Sequence, residues 1–177
     1  MGALSQLGAR ELVWRYPRAE NGAFELSAGG AELGWLRFDE RPGISSVGEL
    51  GGERWTFRHT GGPRPRVTVS KENSPDVIAE YQPRASGGGV VSFTGGPDYC
   101  WNHARIWSPT WCFRRQGPEA GSSVCVSQQA GPLRDGGRVK LCGDFTSFPE
   151  APVLVLLAWY LRVLAFEMLT ESIPVTG

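Results

Sequence analysis

The sequence predicts a mainly β fold, a closed antiparallel barrel of about twelve strands that encloses one hydrophobic C-terminal α-helix. Two observations support this prediction. Short runs of alternating apolar and polar residues, separated by glycine- and proline-rich turns, repeat through about the first 140 residues. The nearly all-apolar segment Ala151–Leu169 follows them, and a helix that is apolar on every side must be buried in protein or in lipid.

The strands are predicted from alternation and from the turns between them. Trp55 and Phe57 alternate with Arg54, Thr56 and Arg58, which is typical of a strand with one solvated face. Turn signals recur about every 8–12 residues, a spacing that favours a barrel or sandwich over βαβ units. The predicted strands are Glu11–Tyr16, Phe24–Ala28, Glu32–Phe38, Ile44–Glu49, Arg54–Thr60, Arg66–Lys71, Val77–Gln82, Gly89–Thr94, Tyr99–Arg105, Trp111–Gln116, Ser123–Gln128 and Arg138–Cys142.

The C-terminal segment has the character of a helix. Pro149 and Pro152 suit the first turn of a helix, where a missing N–H costs little, and no glycine interrupts the residues that follow. We predict a helix over residues 150–169 in a single domain, 11–169, with terminal extensions 1–10 and 170–177. The side chains expected in the buried core of the helix are Leu154, Leu157, Trp159, Leu161, Arg162, Leu164 and Phe166.

Burial energies decide where this helix can lie. Eleven of its residues are Val, Leu, Phe or Met, and burying each is worth about 1.5–3 kcal/mol, so exposure to water is untenable. Arg162 lies near the middle, where a bilayer would impose a cost of about 2.5–3.5 kcal/mol. A helix is about 10–12 Å across and suits the lumen of a barrel with more than eight strands. The barrel is favoured, and there Arg162 needs a carboxylate or carbonyl partner, or a path to the rim.

Two adjacent segments carry a resemblance to a known family. Gly22-Ala23-Phe24-Glu25-Leu26 is followed by Gly30-Ala31-Glu32-Leu33-Gly34-Trp35-Leu36. Together with the barrel and its helix, this hairpin resembles the tubby C-terminal-like superfamily, which includes tubby domains, phospholipid scramblases and the plant LURP-one-related proteins. The resemblance implies a barrel closed around its helix, and tubby domains bind phosphoinositide headgroups through basic side chains. No lysine-bearing site transfers to this chain, whose two lysines, Lys71 and Lys140, lie outside any motif that aligns.

Charge and cysteine content narrow the classes of function. The 18 Lys and Arg balance the 18 Asp and Glu, so no net field favours nucleic acid as a partner. The N-terminus lacks the features of a secretory signal, and we expect a cytoplasmic protein. No CxxC motif is present, so reduced thiols without a structural metal are expected at Cys100, Cys112, Cys125 and Cys142.

The candidate contacts for a phosphate or a lipid are arginines beside strands: Arg64, Arg66, Arg114 and Arg115. No catalytic, cofactor-binding or metal-binding residue is predicted. The expected function is a non-enzymatic interaction or lipid-associated domain, with a phospholipid headgroup or a protein as partner and peripheral membrane association. Two alternatives stay open. One is a tail-anchored protein with helix 151–169 in the bilayer, and the other is a small-molecule carrier or hydrolase with a pocket at the barrel mouth.

Overall fold

The computed structural model describes residues 11–16, 22–38, 45–60, 62, 64–105, 108–117, 122–128, 136–144 and 148–171, with helix side chains up to Phe166. These residues form twelve strands and one helix. The elements are β1 (Glu11–Arg15), β2 (Ala23–Ala28), β3 (Ala31–Phe38), β4 (Ser46–Leu50), β5 (Glu53–His59), β6 (Val67–Lys71), β7 (Val77–Pro83), β8 (Gly89–Phe93), β9 (Asp98–His103), β10 (Thr110–Arg115), β11 (Ser123–Gln128), β12 (Gly137–Cys142) and α1 (Ala151–Glu171). The predicted extension 1–10 and residues 172–177 lie outside the described part of the chain.

The strands form one closed barrel, which confirms the predicted fold class. Each strand pairs antiparallel with its sequence neighbours, and β1 pairs with β12 to close the sheet. In this up-and-down order, loops that follow odd-numbered strands lie at one end, here called the mouth, with described residues 16, 22, 45, 60, 62, 64–66, 84–88, 104–105, 108–109 and 136. Loops that follow even-numbered strands lie at the other end, the base, with described residues 29–30, 51–52, 72–76, 94–97, 116–117, 122, 143–144 and 148–150.

Helix α1 fills the barrel. It begins at the base, where β12 ends, and runs toward the mouth. Leu154, Leu157 and Trp159 are fully buried against inward side chains of the strands, as the apolar surface of the helix requires. Leu161 and Leu164 are also buried. Phe166 was expected in this core, and that prediction is wrong: its side chain is 42 % exposed because the helix leaves the lumen there.

The inner wall matches the shape of the helix. Gly137, on β12, lies under the ring of Trp159, and a Cβ atom on this glycine would overlap that ring. Trp14, on β1, stacks on Trp159 with ring centroids 5.9 Å apart, and Phe24 meets the same indole edge-on. The β1–β2–β12 wall therefore has no side chain at the one position where the largest helix residue needs space. Among the described residues, no helix combines the length and apolar character that a membrane span requires.

The prediction of four reduced cysteines is wrong at two positions. Cys112 on β10 and Cys125 on β11 are direct cross-strand partners and are joined by a disulfide bond. Cys100 and Cys142 are free. Their linear spacing does not reveal the pairing, because the register of the β10–β11 hairpin is what sets these two side chains opposite each other.

Candidate functional site

Among the described loop residues, acidic and basic side chains are segregated between the two ends of the barrel. Among the described residues, the mouth loops contain no Asp or Glu, and their basic residues are Arg64, Arg66, Arg84 and Arg105. The described base turns contain no Lys or Arg, and their acidic residues are Glu72, Asp76, Asp144 and Glu150. Helix α1 has its positive N-terminal end at the acidic base and its negative C-terminal end at the basic mouth, so each end is complementary to its surroundings.

A cavity of about 270 Å³ opens at the mouth beside the last described turns of α1. Three kinds of side chain line it: apolar helix residues, aromatic residues of the barrel wall, and arginines from the loops and the helix. The main members are Leu161, Leu164, Tyr81, Trp101, Trp111, Arg64, Arg84 and Arg162. No acidic residue is among the described residues that line this cavity.

Arg162 is the unusual member of the cavity. Its guanidinium carbon lies 5.9 Å from the ring centroid of Trp111, and its buried Nε has no hydrogen-bond partner among the residues that the structure describes. Burial lowers the pKa of Arg162, although a guanidinium keeps its charge in proteins. The side chain reaches the rim as expected, but no carboxylate or carbonyl of the described residues pairs with it. A cation in a partly desolvated cavity is costly, and an anionic ligand beside the guanidinium would offset that cost.

Tyr81 and Gly88 hold the loop that carries Arg84. The phenol of Tyr81 donates a hydrogen bond to the carbonyl oxygen of Gly88 at 2.9 Å, and the Arg84 N–H donates to the same oxygen at 3.0 Å. Burial raises the pKa of Tyr81 to about 12, so the phenol remains a donor at neutral pH. Gly88 has φ +67°, and a Cβ there would overlap the backbone oxygen of Trp101. This close approach places Arg84 at the cavity.

A second cavity of about 680 Å³ adjoins the first and shares Gly87, Gly88 and Trp111 with it. Arg105 and His103 supply its basic groups. The His103 ring lies 3.8 Å from the Trp111 ring, centroid to centroid, and its Nδ1 donates to the carbonyl oxygen of Ser108 at 2.8 Å. Trp111 therefore lies between two cavities that both contain basic side chains, and the backbone of Gly87 and Gly88 lines both of them.

The structure distributes the four predicted arginines over different surfaces. Arg64 lines the first cavity. Arg66 lies outside it, with Nη1 3.9 Å from Oε1 of Glu80. Arg114 is on the outer face of β10 and donates from Nη2 to the Ala104 carbonyl oxygen at 3.0 Å. Arg115 lies near the base, with its guanidinium carbon 4.5 Å from the ring centroid of Phe148.

Sequence reasoning missed three of the four arginines that line the two cavities. Arg84 and Arg105 were not singled out, and Arg162 was expected in the helix core or at the rim but not as a ligand contact. A usable signal was present: Arg64, Arg84 and Arg105 each follow an odd-numbered strand. In an up-and-down barrel alternate loops share an end, so counting charges over alternate loops would have found the basic mouth.

Known proteins do not supply a function for this site. No protein-family model matches the chain, and no curated protein or solved structure does either. Among the described residues, no group of three or more His, Cys, Asp or Glu side chains converges as metal ligands would.

Proposed function

We propose that this protein is a lipid-associated binding domain whose barrel mouth binds the phosphorylated headgroup of an anionic phospholipid. The observation that carries the proposal is the partly buried Arg162 guanidinium, whose Nε has no hydrogen-bond partner among the described residues, in a cavity that Arg64 and Arg84 also line. Phosphate oxygens accept hydrogen bonds from the paired N–H groups of arginine, and such charge-assisted hydrogen bonds are about twice as strong as neutral ones. No described acidic side chain in the lining competes for these donors.

The surroundings of the cavity favour a headgroup that is attached to a membrane. Phe166 is 42 % exposed and lies one helical turn beyond Arg162, so the two side chains lie on the same side of α1. An exposed aromatic side chain beside arginines suits the boundary between headgroups and acyl chains. The acidic base would be repelled by an anionic surface, which orients the mouth toward it. Tubby domains, which the predicted fold resembles, bind phosphoinositide headgroups through basic side chains, although their lysine-bearing site does not transfer to this chain.

Vesicle sedimentation tests this proposal. The probes are vesicles of phosphatidylcholine, alone or with a few per cent of a phosphorylated phosphatidylinositol. The test variant is Arg64→Gln/Arg84→Gln, and the matched control is Arg54→Gln/Arg138→Gln, which removes the same charge from the outer wall, where both residues pair with glutamates. We expect the test variant to lose at least tenfold in binding and the control to bind as wild type. Equal loss in both variants, or equal binding to phosphatidylcholine alone, would overturn the proposal.

A soluble organic anion is the second candidate, and the stacked aromatic wall favours it. Trp101 and Trp111 lie with ring centroids 5.4 Å apart and planes at 24°, a surface on which a flat ligand ring could stack. A thermal-shift screen of inositol phosphates and aromatic phosphates separates the candidates. Stabilisation by soluble compounds without any sedimentation on vesicles supports the carrier, whereas sedimentation that inositol phosphates compete away supports the headgroup.

A further inference from the structure

All four cysteines lie on one patch of the outer barrel wall. They belong to four adjacent strands: Cys100 to β9, Cys112 to β10, Cys125 to β11 and Cys142 to β12. The strand residues next to each cysteine point into the lumen, for example Val124 and Val126 beside Cys125 and Leu141 beside Cys142. Alternation therefore puts every cysteine side chain on the outside.

The register arranges these residues in two neighbouring rows across the sheet. One row is Asn102–Cys112–Cys125–Lys140, and the next row toward the base is Cys100–Arg114–Ser123–Cys142. The disulfide occupies the middle of the first row. Cys142 lies on the strand next to that of Cys125, one row nearer the base. Cys100 lies in the same row as Cys142, on the strand next to that of Cys112.

We propose that this patch is a thiol–disulfide exchange site in which Cys142 attacks Cys125. The Cys142 thiolate forms a bond to Sγ of Cys125, the Cys112–Cys125 bond breaks, and Cys112 leaves as a thiolate that takes a proton from solvent. One disulfide and two thiols exist before and after the step, so no oxidant is consumed. The strand order β12–β11–β10 places the attacking sulfur, the attacked sulfur and the leaving sulfur in sequence across the sheet.

Accessibility selects Cys125 as the sulfur that is attacked. Cys112 is only 1 % exposed, whereas Cys125 is partly exposed. The hydroxyl of Ser123, the direct partner of Cys142, already lies 3.7 Å from Sγ of Cys125, so side chains bridge the gap between the rows. Cys100 is less suited to attack the disulfide. Its Sγ accepts a hydrogen bond from the Gln116 amide at 2.8 Å, and the disulfide sulfur next to it is the buried one, Sγ of Cys112.

The exchange needs a small movement of the backbone. Diagonal neighbours in an antiparallel pair have Cα atoms about 7–8 Å apart, and a disulfide usually needs about 4.4–6.8 Å. A local shift of roughly 1 Å at one strand is sufficient on these figures. Cys142 is the last residue of β12 and precedes the turn at Gly143, so the shift falls at a strand end, where local opening costs least.

Disulfide mapping tests the proposal directly. Trypsin leaves each cysteine in a separate peptide, because Arg105, Arg114, Arg115, Arg134, Arg138 and Lys140 lie between them. The wild-type chain is equilibrated in a glutathione redox buffer at pH 8, alkylated, digested without reduction and analysed by mass spectrometry. We expect a Cys125–Cys142 link beside the Cys112–Cys125 link. Cys142→Ser should abolish the new link, and the matched control Cys100→Ser should leave it unchanged.

A second variant tests the geometry without competition from the original disulfide. In Cys112→Ala, glutathione disulfide should convert Cys125 and Cys142 into a link at least tenfold faster than Cys100 is linked to either. The proposal is overturned if Cys112–Cys125 is the only link in the wild type, if the purified protein holds four thiols, or if Cys100 forms the second link.

Discussion

The phenol oxygen of Tyr160, on the central helix, lies 2.9 Å from Nδ1 of His59, on strand β5. The same phenol ring stacks on Phe38 and Phe57 with centroids 5.5 Å and 5.4 Å away. Apolar packing defines the rotation of a uniformly apolar helix only through shape, as where Trp159 lies over Gly137. This hydrogen bond between the helix and the wall stabilises one orientation, the one that also turns Arg162 toward the mouth cavity.

The His59–Tyr160 contact predicts a pH dependence of stability. Burial lowers the pKa of His59 below its ordinary value of 6.5, so the unfolded chain takes up a proton at a higher pH than the folded chain. The free energy of unfolding should therefore fall as the pH is lowered through 6.5 toward the folded pKa. In His59→Gln this slope should shrink, at the cost of about 1 kcal/mol for the altered hydrogen bond. Urea unfolding at pH 7.5 and 5.5 measures this change in the free energy of unfolding. If the change is the same in the variant as in the wild type, His59 is not its cause.

Arg162→Met should separate stability from binding. Methionine keeps a long unbranched side chain and removes a buried Nε that has no hydrogen-bond partner. An unsatisfied buried donor costs about 1–3 kcal/mol, so we expect the free energy of unfolding to rise by about 1 kcal/mol while vesicle binding falls at least tenfold. Leu164→Met, on the same stretch of helix, is the control for a change of shape. Destabilisation of Arg162→Met by more than about 1 kcal/mol would mean that the arginine has a structural partner.

Gly137→Ala should strain the contact between β12 and the helix. A Cβ atom at this position overlaps the Trp159 ring, so one of the two must move, with an expected loss of about 1–3 kcal/mol. The smaller ring in Trp159→Phe should relieve part of the strain. The double variant should then be more stable than the sum of the single effects predicts, and strict additivity in chemical denaturation would rule out direct contact.

Trp14 offers a test of how much the indole N–H matters in the core. Its Nε1 is buried without a hydrogen-bond partner in the described part of the chain, so the polar atom has no such bond to offset its desolvation. Trp14→Phe should cost less than about 1.5 kcal/mol, whereas Trp14→Ala should cost about 3–5 kcal/mol through the cavity and the lost stack on Trp159. Similar losses in both variants, measured by thermal unfolding, would show that the N–H has a partner.

The barrel was predictable because the apolar residues that alternate with polar ones in the sequence are the ones that pack inside it. Trp55, Phe57, Val67 and Val69, which alternate with polar residues in the sequence, all point into the lumen. The helix was predictable for the complementary reason, since a segment with no polar face needs walls on every side. Its predicted bounds, 150–169, differ from Ala151–Glu171 by at most two residues.

The candidate site was less predictable because it depends on register and on the relative positions of loops. The Cys112–Cys125 bond follows from hairpin register, and the exposure of Phe166 follows from the depth of the barrel. The mouth arginines come from separate loops that lie together only after the sheet closes. The relationship to tubby-like proteins and the phosphate contacts at Arg64, Arg66, Arg114 and Arg115 stay predictions.

The central helix follows all twelve strands in the chain, which sets the order in which the protein can be completed during translation. At about 5–20 residues per second, roughly 1.5–6 s separate the synthesis of Cys142, the end of β12, from that of Glu171, the end of α1. Throughout this interval the inward residues of the strands have no helix to contact. The nascent sheet must therefore collapse on itself, stay open or be held by a chaperone until the helix leaves the ribosome. Ribosome pausing within the helix codons would lengthen that exposure and favour aggregation.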